Sequence, residues 1–380
     1  MNIKFSNTLI KAVLIICLVV IIDVLGIAFL VLKTVSLPFV PNRNIDAMSD
    51  YYTAVWKSVR GAVDNGRFVI IDITENSRRE ITEILNTVNN MNPAIIGLDV
   101  SYIHEEDPNE DSLLVQTIQS LTRLVLPVEY LDNEQGSESF HFGIFHNQLI
   151  NKEYGVVSFP ENRDILRTYN PSFKIGNQSI DAFGCVIAQK CGADISHIHE
   201  KSNLLINYTT LELADDDVAP GFQFLNLNVR DSLSLASEIA GKIVLIGSTN
   251  LTSDQHLTPL GNSLSGLMVH AHIINTLIEN KSIRTTPLII RYLFCFIMAL
   301  VILLWFQKRK PSEEKNNKIW KQIIMWSILF CVSVLLFAVI GTFLFCNLCY
   351  YINFAPYIVT LILVYFIKDK KIDFIKLCKL

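Results

Sequence analysis

The sequence predicts an α/β protein: an extracytoplasmic domain with a mainly parallel sheet flanked by helices, attached to four transmembrane helices, one before the domain and three after it. Three observations predict this class. Short apolar strands alternate with amphipathic helices between residues 67 and 130, which is typical of a parallel sheet covered by helices. Four apolar runs flank that region, one before it and three after it. Clustered Lys and Arg residues lie before the first run, between the second and third runs, and after the fourth.

The apolar runs approach or exceed the ~20 residues that a membrane-spanning helix needs. The first run is predicted to be an uncleaved anchor, because its apolar core is longer than that of a signal peptide and no small-x-small cleavage site follows it. The fourth run is the shortest and carries Pro356. The predicted transmembrane helices are residues 12–32, 287–306, 323–345 and 350–367.

The orientation follows from the basic residues in the short flanks, which favour the cytoplasmic side. Residues 1–11, the loop 307–322 and the tail 368–380 carry these residues, whereas the turn 346–349 has no charge. All basic segments lie on one side only if both termini are cytoplasmic. The ectodomain, residues 33–286, and the turn 346–349 are then outside, and the predicted location is a bacterial inner membrane.

The charge of the ectodomain argues against a nucleic-acid partner. Residues 33–286 contain 18 basic and 31 acidic residues, whereas nucleic-acid binding needs basic surface to neutralise phosphates. Such a charge suits a cationic ligand or simply solubility. Of the 8 cysteines, only Cys185 and Cys191 are outside, and six positions apart on a predicted helix they are poorly placed for a disulfide.

The ectodomain elements follow from hydrophobic periodicity. Runs of β-type residues that end in Asp72, Asp99 or Gly247 are predicted strands, and each is followed by helical or turn signals. The middle of the domain is less regular, and residues 213–224 are predicted to be an acidic, turn-rich loop. Predicted strands are 67–74, 93–102, 123–130, 154–160, 203–208 and 241–247, and predicted helices are 77–92, 110–121, 180–192 and 266–280.

The segment "VLIGSTNLTSDQHLTPLG", residues 244–261, predicts a ligand site, because in α/β proteins such sites form at the carboxyl ends of parallel strands. We expect side chains that follow three strands to converge there. The alternative for Asp72 and Asp99 is capping of the next helix or turn. The candidate ligand-binding residues are Asp72, Asp99, Ser248, Thr249, Asp254, Thr258 and His270.

No catalytic residue, metal ligand set or cofactor is predicted. The sequence contains no phosphate-binding loop, dinucleotide fingerprint, Gly-x-Ser-x-Gly turn or His-Glu-x-x-His motif. His270 and His272 lie two apart on a predicted helix, where their rings diverge. The paired carboxylates could support acid/base chemistry, but no nucleophile accompanies them.

Two charged residues fall within predicted membrane helices. Asp23 lies in the first and Arg291 near the start of the second. Charged groups in lipid usually face a partner or a cavity. We therefore expect Asp23 to face the other helices, with Arg291 as a candidate partner.

The ectodomain motifs resemble the CHASE domain of type 2, an extracytoplasmic sensory domain of bacterial cyclases, histidine kinases and serine/threonine kinases. The resemblance covers "RFVIIDITENS", "PAIIGLDVSYIHEEDPNEDSLL", "LINY" and the segment from Gly241 to Asn280, and Asp72, Asp99 and Asp111 match aspartates of the family pattern. One departure is "SRREIT", where the family often has Gly-x-Trp-Pro-Trp. The last block matches at Gly241, Lys242, Val244, Ile246, Gly247, Ser248, Thr249, Asp254, Thr258, Pro259, Gly266, His270 and Ala271.

The resemblance implies a sensor that binds an extracytoplasmic ligand or envelope partner. Only residues 368–380 follow the last predicted helix, too few to bury a core, so we expect a stand-alone membrane form that signals to a cytoplasmic effector in trans. Two other functions stay open: an extracytoplasmic hydrolase that uses the strand-end carboxylates, and a structural protein that binds another envelope protein. The expected partners are the lipid bilayer, the ligand and the effector, with homodimerisation left open.

Overall fold

The chain folds into two compact units. A computed structural model describes residues 2–24, 50, 52–53, 66–132, 137–159, 165–208, 222–224, 232–260, 263–308 and 316–368. The helical unit comprises Met1–Val55 with Arg284–Leu380, and the α/β unit comprises Trp56–Ile283. The α/β unit thus corresponds to most of the predicted ectodomain.

A seven-stranded sheet forms the centre of the α/β unit, in the order β10-β1-β11-β2-β3-β4, with β5 paired to β3. All pairs are parallel except β3 with β4, which confirms the prediction of a mainly parallel sheet. Its strands are β1 (Phe68–Asp72), β2 (Ile95–Asp99), β3 (Leu124–Asp132), β4 (Glu138–His141), β5 (Glu153–Val156), β10 (Phe222–Phe224) and β11 (Ile243–Gly247).

Apolar side chains on both faces of the sheet explain why these strands are nearly continuous hydrophobic runs. In β1, Val69 and Ile71 belong to one buried core, whereas Phe68 and Ile70 belong to the other. Side chains alternate between the two faces of a strand, so a strand that is covered on both sides must be apolar throughout.

The helices of the α/β unit supply the two covering layers. Side chains of α2 and α3 belong to the core that contains Val69, and side chains of α4 and α6 belong to the other. Local sequence sets where α2 and α3 begin: Ser77 and Glu80 form a capping box, and Asp107 caps α3 ahead of Pro108. The helices are α2 (Arg78–Asn90), α3 (Pro108–Ser120), α4 (Phe183–Lys190), α5 (Ser232–Ile239) and α6 (Gly266–Ile278).

Short strand pairs occupy the irregular middle and the segment before α6. They are β6 (Thr168–Tyr169) with β9 (Leu204–Leu205), β7 (Ser172–Ile175) with β8 (Gln178–Asp181), and β12 (Gln255–Leu257) with β13 (Ser263–Ser265).

Two predictions for this unit need comment. The loop predicted for residues 213–224 was wrong at its end, because Phe222–Phe224 forms β10 beside β1; residues 213–221 lie outside the described part of the chain. The sequence pattern missed β10 because three residues are too few to show a strand period. Cys185 and Cys191 are both free thiols.

The helical unit is built from helices whose apolar faces meet in one core. Ala12, Ile15 and Val19 of the first helix contribute, and so do residues of the other three helices. A small parallel pair joins β14 and β15. The elements are α1 (Asn2–Val24), α7 (Leu288–Lys308), α8 (Asn316–Leu348), α9 (Ala355–Ile367), β14 (Arg284–Thr285) and β15 (Tyr350–Tyr351).

Two helices in the described part of the chain are long and apolar enough to cross a membrane: Leu288–Gln307 within α7 and Trp326–Leu348 within α8. The prediction of four spans is therefore not confirmed. Helix α9 has 13 residues, or about 20 Å at 1.5 Å per residue, against a hydrocarbon core of ~30 Å. Helix α1 is described as far as Val24, and residues 25–32 of the first predicted span lie outside the described residues.

Candidate functional site

Two of the predicted aspartates lie in one row at the carboxyl edge of the central sheet. In the strand register, Asp72 of β1 is paired with Gly247 of β11, and Gly247 is paired with Asp99 of β2. Neighbouring strands lie about 4.8 Å apart, so the two aspartate backbones are roughly 10 Å apart. The residues that follow Gly247 start the loop between them.

Asp72 holds this loop in place. Its Oδ1 accepts hydrogen bonds from the backbone N–H of Thr249 at 3.0 Å and from the N–H and hydroxyl of Thr74 at 3.2 and 2.6 Å. Its Oδ2 accepts from Asn250 Nδ2 at 3.1 Å. The Ser248 hydroxyl lies 2.7 Å from that of Thr74. Asp72 therefore ties the turn after β1 to the loop after β11.

The hydrogen bonds around Asp72 favour its ionised form. Burial by itself would raise the pKa of Asp72, but hydrogen bonds from Thr74 and Thr249 outweigh burial and lower the pKa below its usual value. A carboxylate with this many internal partners has little capacity left for a ligand. The geometry thus favours the capping alternative for Asp72.

We expect Asp72→Asn to lower the free energy of unfolding by about 1–2 kcal/mol at pH 7, because an amide cannot accept on both oxygen positions. The lowered pKa of Asp72 means that its stabilising effect is present above the unfolded pKa of ~3.9 and is lost as the pH falls through the folded value. The difference between parent and variant should therefore shrink in acid.

Denaturant unfolding of the full-length protein in detergent at neutral and acidic pH measures this difference. Glu83→Gln, on the exposed side of α2, is the control and should change stability by less than about 0.5 kcal/mol. A stability of Asp72→Asn equal to that of the parent at pH 7 would show that these hydrogen bonds do not stabilise the fold.

Asp254 caps the start of α6. Its Oδ2 accepts a hydrogen bond from the backbone N–H of Gly266 at 3.0 Å, and its Oδ1 lies 3.4 Å from His256 Nε2. A Cβ at residue 266 would lie 2.6 Å from Asp254 Oδ1, so only glycine permits this contact. A carboxylate at a helix N-terminus satisfies a free N–H and interacts favourably with the helix dipole.

Asp99 differs from the other two aspartates in lacking such partners. Among the described residues no hydrogen bond reaches its carboxyl group, and the side chain is half-buried. Desolvation, together with the negative charges of Asp254 and Glu129, raises the pKa of Asp99 to about 7. Asp99 thus gains or loses its proton near neutral pH, and its carboxyl oxygens accept no hydrogen bond within the described part of the chain.

Two further predicted residues are interior. The hydroxyl of Thr258 accepts from the N–H of Leu260 at 3.3 Å within a buried turn. His270 is 2% exposed, and its ring stacks on Phe159 with centroids 4.7 Å apart. Burial lowers the pKa of His270 to about 4 in spite of the nearby Asp254, so the ring is neutral at pH 7 and belongs to the core below the edge.

The structure also brings residues to this edge that the sequence pattern did not single out. Glu129 interacts electrostatically with Asp99 and directly follows the apolar run Leu124–Val128 of β3. Asp72 and Asp99 were identified as acidic residues that follow an apolar run, and Glu129 has the same pattern, although β3 continues to Asp132. Thr74 and Asn250 carry no such signal, because their role depends on the loop geometry alone.

Asp23 and Arg291 lie together in the helical unit. Arg291 Nη1 is 3.5 Å from Asp23 Oδ2, and the Tyr292 hydroxyl donates to the same oxygen at 2.7 Å. Asp23 on α1 thus faces α7. Tyr292 was not foreseen, because an aromatic residue in an apolar run gives no polar signal.

The described residues contain no group of three or more His, Cys, Asp or Glu side chains placed to hold a metal ion.

Comparison with protein families gives a match of residues 19–307 to the model of the CHASE2 domain. Neither the curated proteins nor the solved structures contain a match.

Proposed function

Because the chain belongs to the CHASE2 family of sensory extracellular domains, we propose that it is a membrane-anchored sensor that signals to a separate cytoplasmic effector. In this proposal the α/β unit binds a ligand outside the membrane at the carboxyl edge of its sheet. One observation carries the ligand site: Asp99 lies in the strand-end row and no described residue hydrogen-bonds its carboxyl group, whereas Asp72 and Asp254 are committed to the loop and to α6.

The electrostatics at this edge indicate the kind of ligand. Desolvation is the largest cause of the raised pKa of Asp99, and the negative charges of Asp254 and Glu129 add to it. Negative charge therefore accumulates there as Asp99 ionises. A ligand that presents hydrogen-bond donors or positive charge would relieve this repulsion and favour the ionised form. The excess of acidic residues in the ectodomain is consistent with such a ligand.

A route from this edge toward the membrane follows from chain connectivity. The loop after β11 contains Asp254, which holds the first N–H of α6. Helix α6 ends at Ile278 and α7 begins at Leu288, so only residues 279–287 connect them. A ligand that moved this loop would act on the helix that leads directly into the helical unit.

In this proposal the chain crosses a bacterial inner membrane four times, with both termini in the cytoplasm, and the position of basic residues in the helical unit is consistent with it. At one end of the unit, Lys11 Nζ donates to the Lys368 carbonyl at 2.7 Å, and Thr8 donates to Gln307 at 3.2 Å. Lys368 Nζ also lies 4.5 Å from the centroid of the Tyr365 ring. This basic end is the one that the positive-inside rule assigns to the cytoplasm.

We expect a reporter fused after Leu380 to be active only as a cytoplasmic reporter, because Lys11, Lys368 and the basic loop 307–322 then share one side. Alkaline phosphatase and a fluorescent protein fused at this position measure the two possibilities. A fusion after Lys281, which is in the predicted ectodomain, is the matched control and should give the opposite result. Phosphatase activity after Leu380 would show that α9 does not cross.

Affinity purification of the full-length protein after cross-linking in cells tests the sensor proposal. We expect a cytoplasmic kinase or cyclase to be enriched with this protein. The control is an unrelated multi-span membrane protein used as bait, which should not enrich the same effector. Enrichment of extracytoplasmic envelope proteins alone would contradict signalling in trans and favour a structural role. Substrate turnover by the purified protein would favour the hydrolase.

A further inference from the structure

Two covalent connections join the α/β unit to the helical unit, one where the chain enters the α/β unit and one where it leaves. The entry connection divides between Val55 and Trp56, and the exit connection divides between Ile283 and Arg284. We call residues 349–354, between α8 and α9, the hairpin turn. Within the helical unit, both connections are fastened to this turn.

The exit connection is bound to the hairpin turn through hydrogen bonds to its backbone. The Arg284 N–H donates to the Cys349 carbonyl at 2.8 Å. The N–H and the hydroxyl of Thr286 both donate to the Tyr351 carbonyl, each at 3.3 Å. These bonds continue the parallel pair of β14 with β15. Because α7 begins at Leu288, the start of that helix is held close to the hairpin turn as well.

The entry connection is bound to the same turn by the side chain of Tyr52. This residue is completely buried, and its hydroxyl donates to the Ile352 carbonyl at 3.0 Å. Its ring lies against the rings of Phe345, Tyr351 and Phe354, with centroids 5.5, 6.1 and 6.5 Å apart. A buried aromatic side chain with a hydrogen-bonded hydroxyl is a firm attachment, because any displacement would expose the ring and break the bond.

Helix α8 has a glycine at the place where Tyr52 meets it. A Cβ at residue 341 would overlap the Tyr52 hydroxyl oxygen and the ring of Phe354. A larger residue at Gly341 would therefore force the entry connection or the hairpin turn to move. The position of the entry connection and the position of α8 are thus linked by direct contact.

Away from the hairpin turn, α8 is held again at Trp326. Among the described side chains, Trp326 alone represents α8 in the core of the helical unit. Its ring stacks on Phe306 of α7 at 5.0 Å and meets Tyr365 of α9 at 5.3 Å. Between the two attachments, Leu335 and Val339 are 64% and 60% exposed. A shift of the hairpin turn would therefore reach the other helices at the Trp326 contact.

We propose that the hairpin turn is the element through which the α/β unit moves the membrane helices, an inference that rests on the proposed sensor function. A displacement of either connection shifts the turn. Packed side chains and rigid helices carry such shifts over long distances, so α8 and α9 transmit it to the contact of Trp326 with Tyr365. The basic segments that precede α8 and follow α9 lie beyond this contact along the chain. This route acts beside the direct connection from α6 to α7.

Pulsed EPR distance measurement on the full-length protein in nanodiscs tests this proposal with neither a ligand nor an effector. Nitroxide labels attached to a ketone-bearing amino acid replace Ser327 and Phe366, which are exposed and directly follow the two residues of the α8–α9 contact. Tyr52→Trp displaces the hairpin turn from the entry connection, and Gly341→Ala displaces it from α8. Each should shift the mean label distance by about 2 Å, the size of helix shifts in switching proteins.

Milder and neutral variants complete the test. Tyr52→Phe and Thr286→Val each remove one hydroxyl that bonds the hairpin turn, and each should broaden the distribution of label distances. They decide the matter if Tyr52→Trp does not fold, which thermal unfolding midpoints establish. Val339→Ala changes an exposed residue of α8 two positions from Gly341 and is the matched control, with the distance unchanged.

Equal label distances in the parent, Tyr52→Trp and Gly341→Ala would overturn the proposal, and so would an equal shift in Val339→Ala. Failure of the sensor proposal has a different signature, because the parent would then enrich no cytoplasmic effector while the label distances still responded to Gly341→Ala.

Discussion

Replacing Asp99 by Asn is expected to stabilise the folded protein at pH 8, by on the order of 1–2 kcal/mol, although the substitution removes a charge from the proposed ligand site. The reason is the raised pKa of about 7, caused by desolvation and by Asp254 and Glu129. Above this pH the folded state must keep an ionised, poorly solvated carboxylate next to other negative charges. An amide of nearly the same shape carries no charge.

The direction of the stability change follows from the different pKa of Asp99 in the folded and unfolded states. The folded protein holds the Asp99 proton up to a pKa of about 7, whereas the unfolded chain releases it near ~3.9. Between these values the folded state binds more protons, so the contribution of Asp99 to stability falls as the pH rises from about 4 to about 7. Because the side chain still reaches solvent in part, the loss is smaller than the full shift implies.

Unfolding of parent and Asp99→Asn in detergent at pH 5, 7 and 8.5 measures this effect. The advantage of the variant should be small at low pH and grow as the pH rises. Asp72→Asn is the matched comparison, since it removes the same charge from the same row but should destabilise. A variant that is less stable than the parent at pH 8.5 would assign Asp99 a structural role.

A stabilising Asp99→Asn would also bear on function. A residue that lowers the stability of the fold and has no internal partner is typical of a functional site, where activity and stability compete. Asp72 and Asp254 show the opposite relation, because each satisfies backbone N–H groups.

Among the substitutions proposed here, Arg78→Ala should lower the free energy of unfolding most, by about 3–5 kcal/mol. This is the range observed when one partner of a buried ion pair is removed. The guanidinium is buried at the start of α2 and donates to Asp111 Oδ1 and to the carbonyl of His104. It also packs against the rings of Tyr102 and Phe145. Alanine would leave Asp111 charged and buried and would open a void among the aromatic rings.

The neighbouring arginine provides a matched control. Arg79 is 70% exposed and lies 3.5 Å from Glu83 one turn along α2, a type of pair worth about 0.3–0.5 kcal/mol. Arg79→Ala should therefore change stability by no more than this amount. Denaturant unfolding of the full-length protein gives both values, and similar small losses for the two variants would contradict the assigned role of Arg78.

A double substitution separates the charge from the packing. Arg78→Met combined with Asp111→Leu removes both charges and keeps apolar volume, so it should recover most of the stability lost in Arg78→Ala. If the double variant is no more stable than Arg78→Ala, the hydrogen bond to His104 and the ring contacts, and not the ion pair, account for the stabilising effect of Arg78.

The contacts of Arg78 with Asp111 and His104 could not be predicted from the sequence pattern. The segment "SRREIT" was recognised only as a departure from the family motif, and Asp111 only as a match to a family aspartate. Their partnership joins positions 33 residues apart, and no local pattern of charge distinguishes the buried Arg78 from the exposed Arg79.

The sequence by itself determined the elements and the edge at which they meet. Alternating apolar strands and amphipathic helices require a parallel sheet covered on both faces, because each run must bury its side chains. Strand ends at Asp72, Asp99 and Gly247 then follow from the apolar runs that precede them. The apolar helices and the clustered basic residues are likewise visible in composition alone.

Only the tertiary structure decided which of the three aspartates has no hydrogen-bond partner among the residues that the structure describes. Besides its neighbour Thr74, Asp72 is bonded by the N–H of Thr249, 177 positions away. Asp254 meets its partner only because the β12–β13 hairpin turns back to the start of α6. Hydrogen bonding and burial depend on these three-dimensional neighbours, whereas sequence periodicity reports only which face of an element is apolar. The same strand-end signal therefore marks two structural caps and one carboxyl group whose pKa is raised by burial.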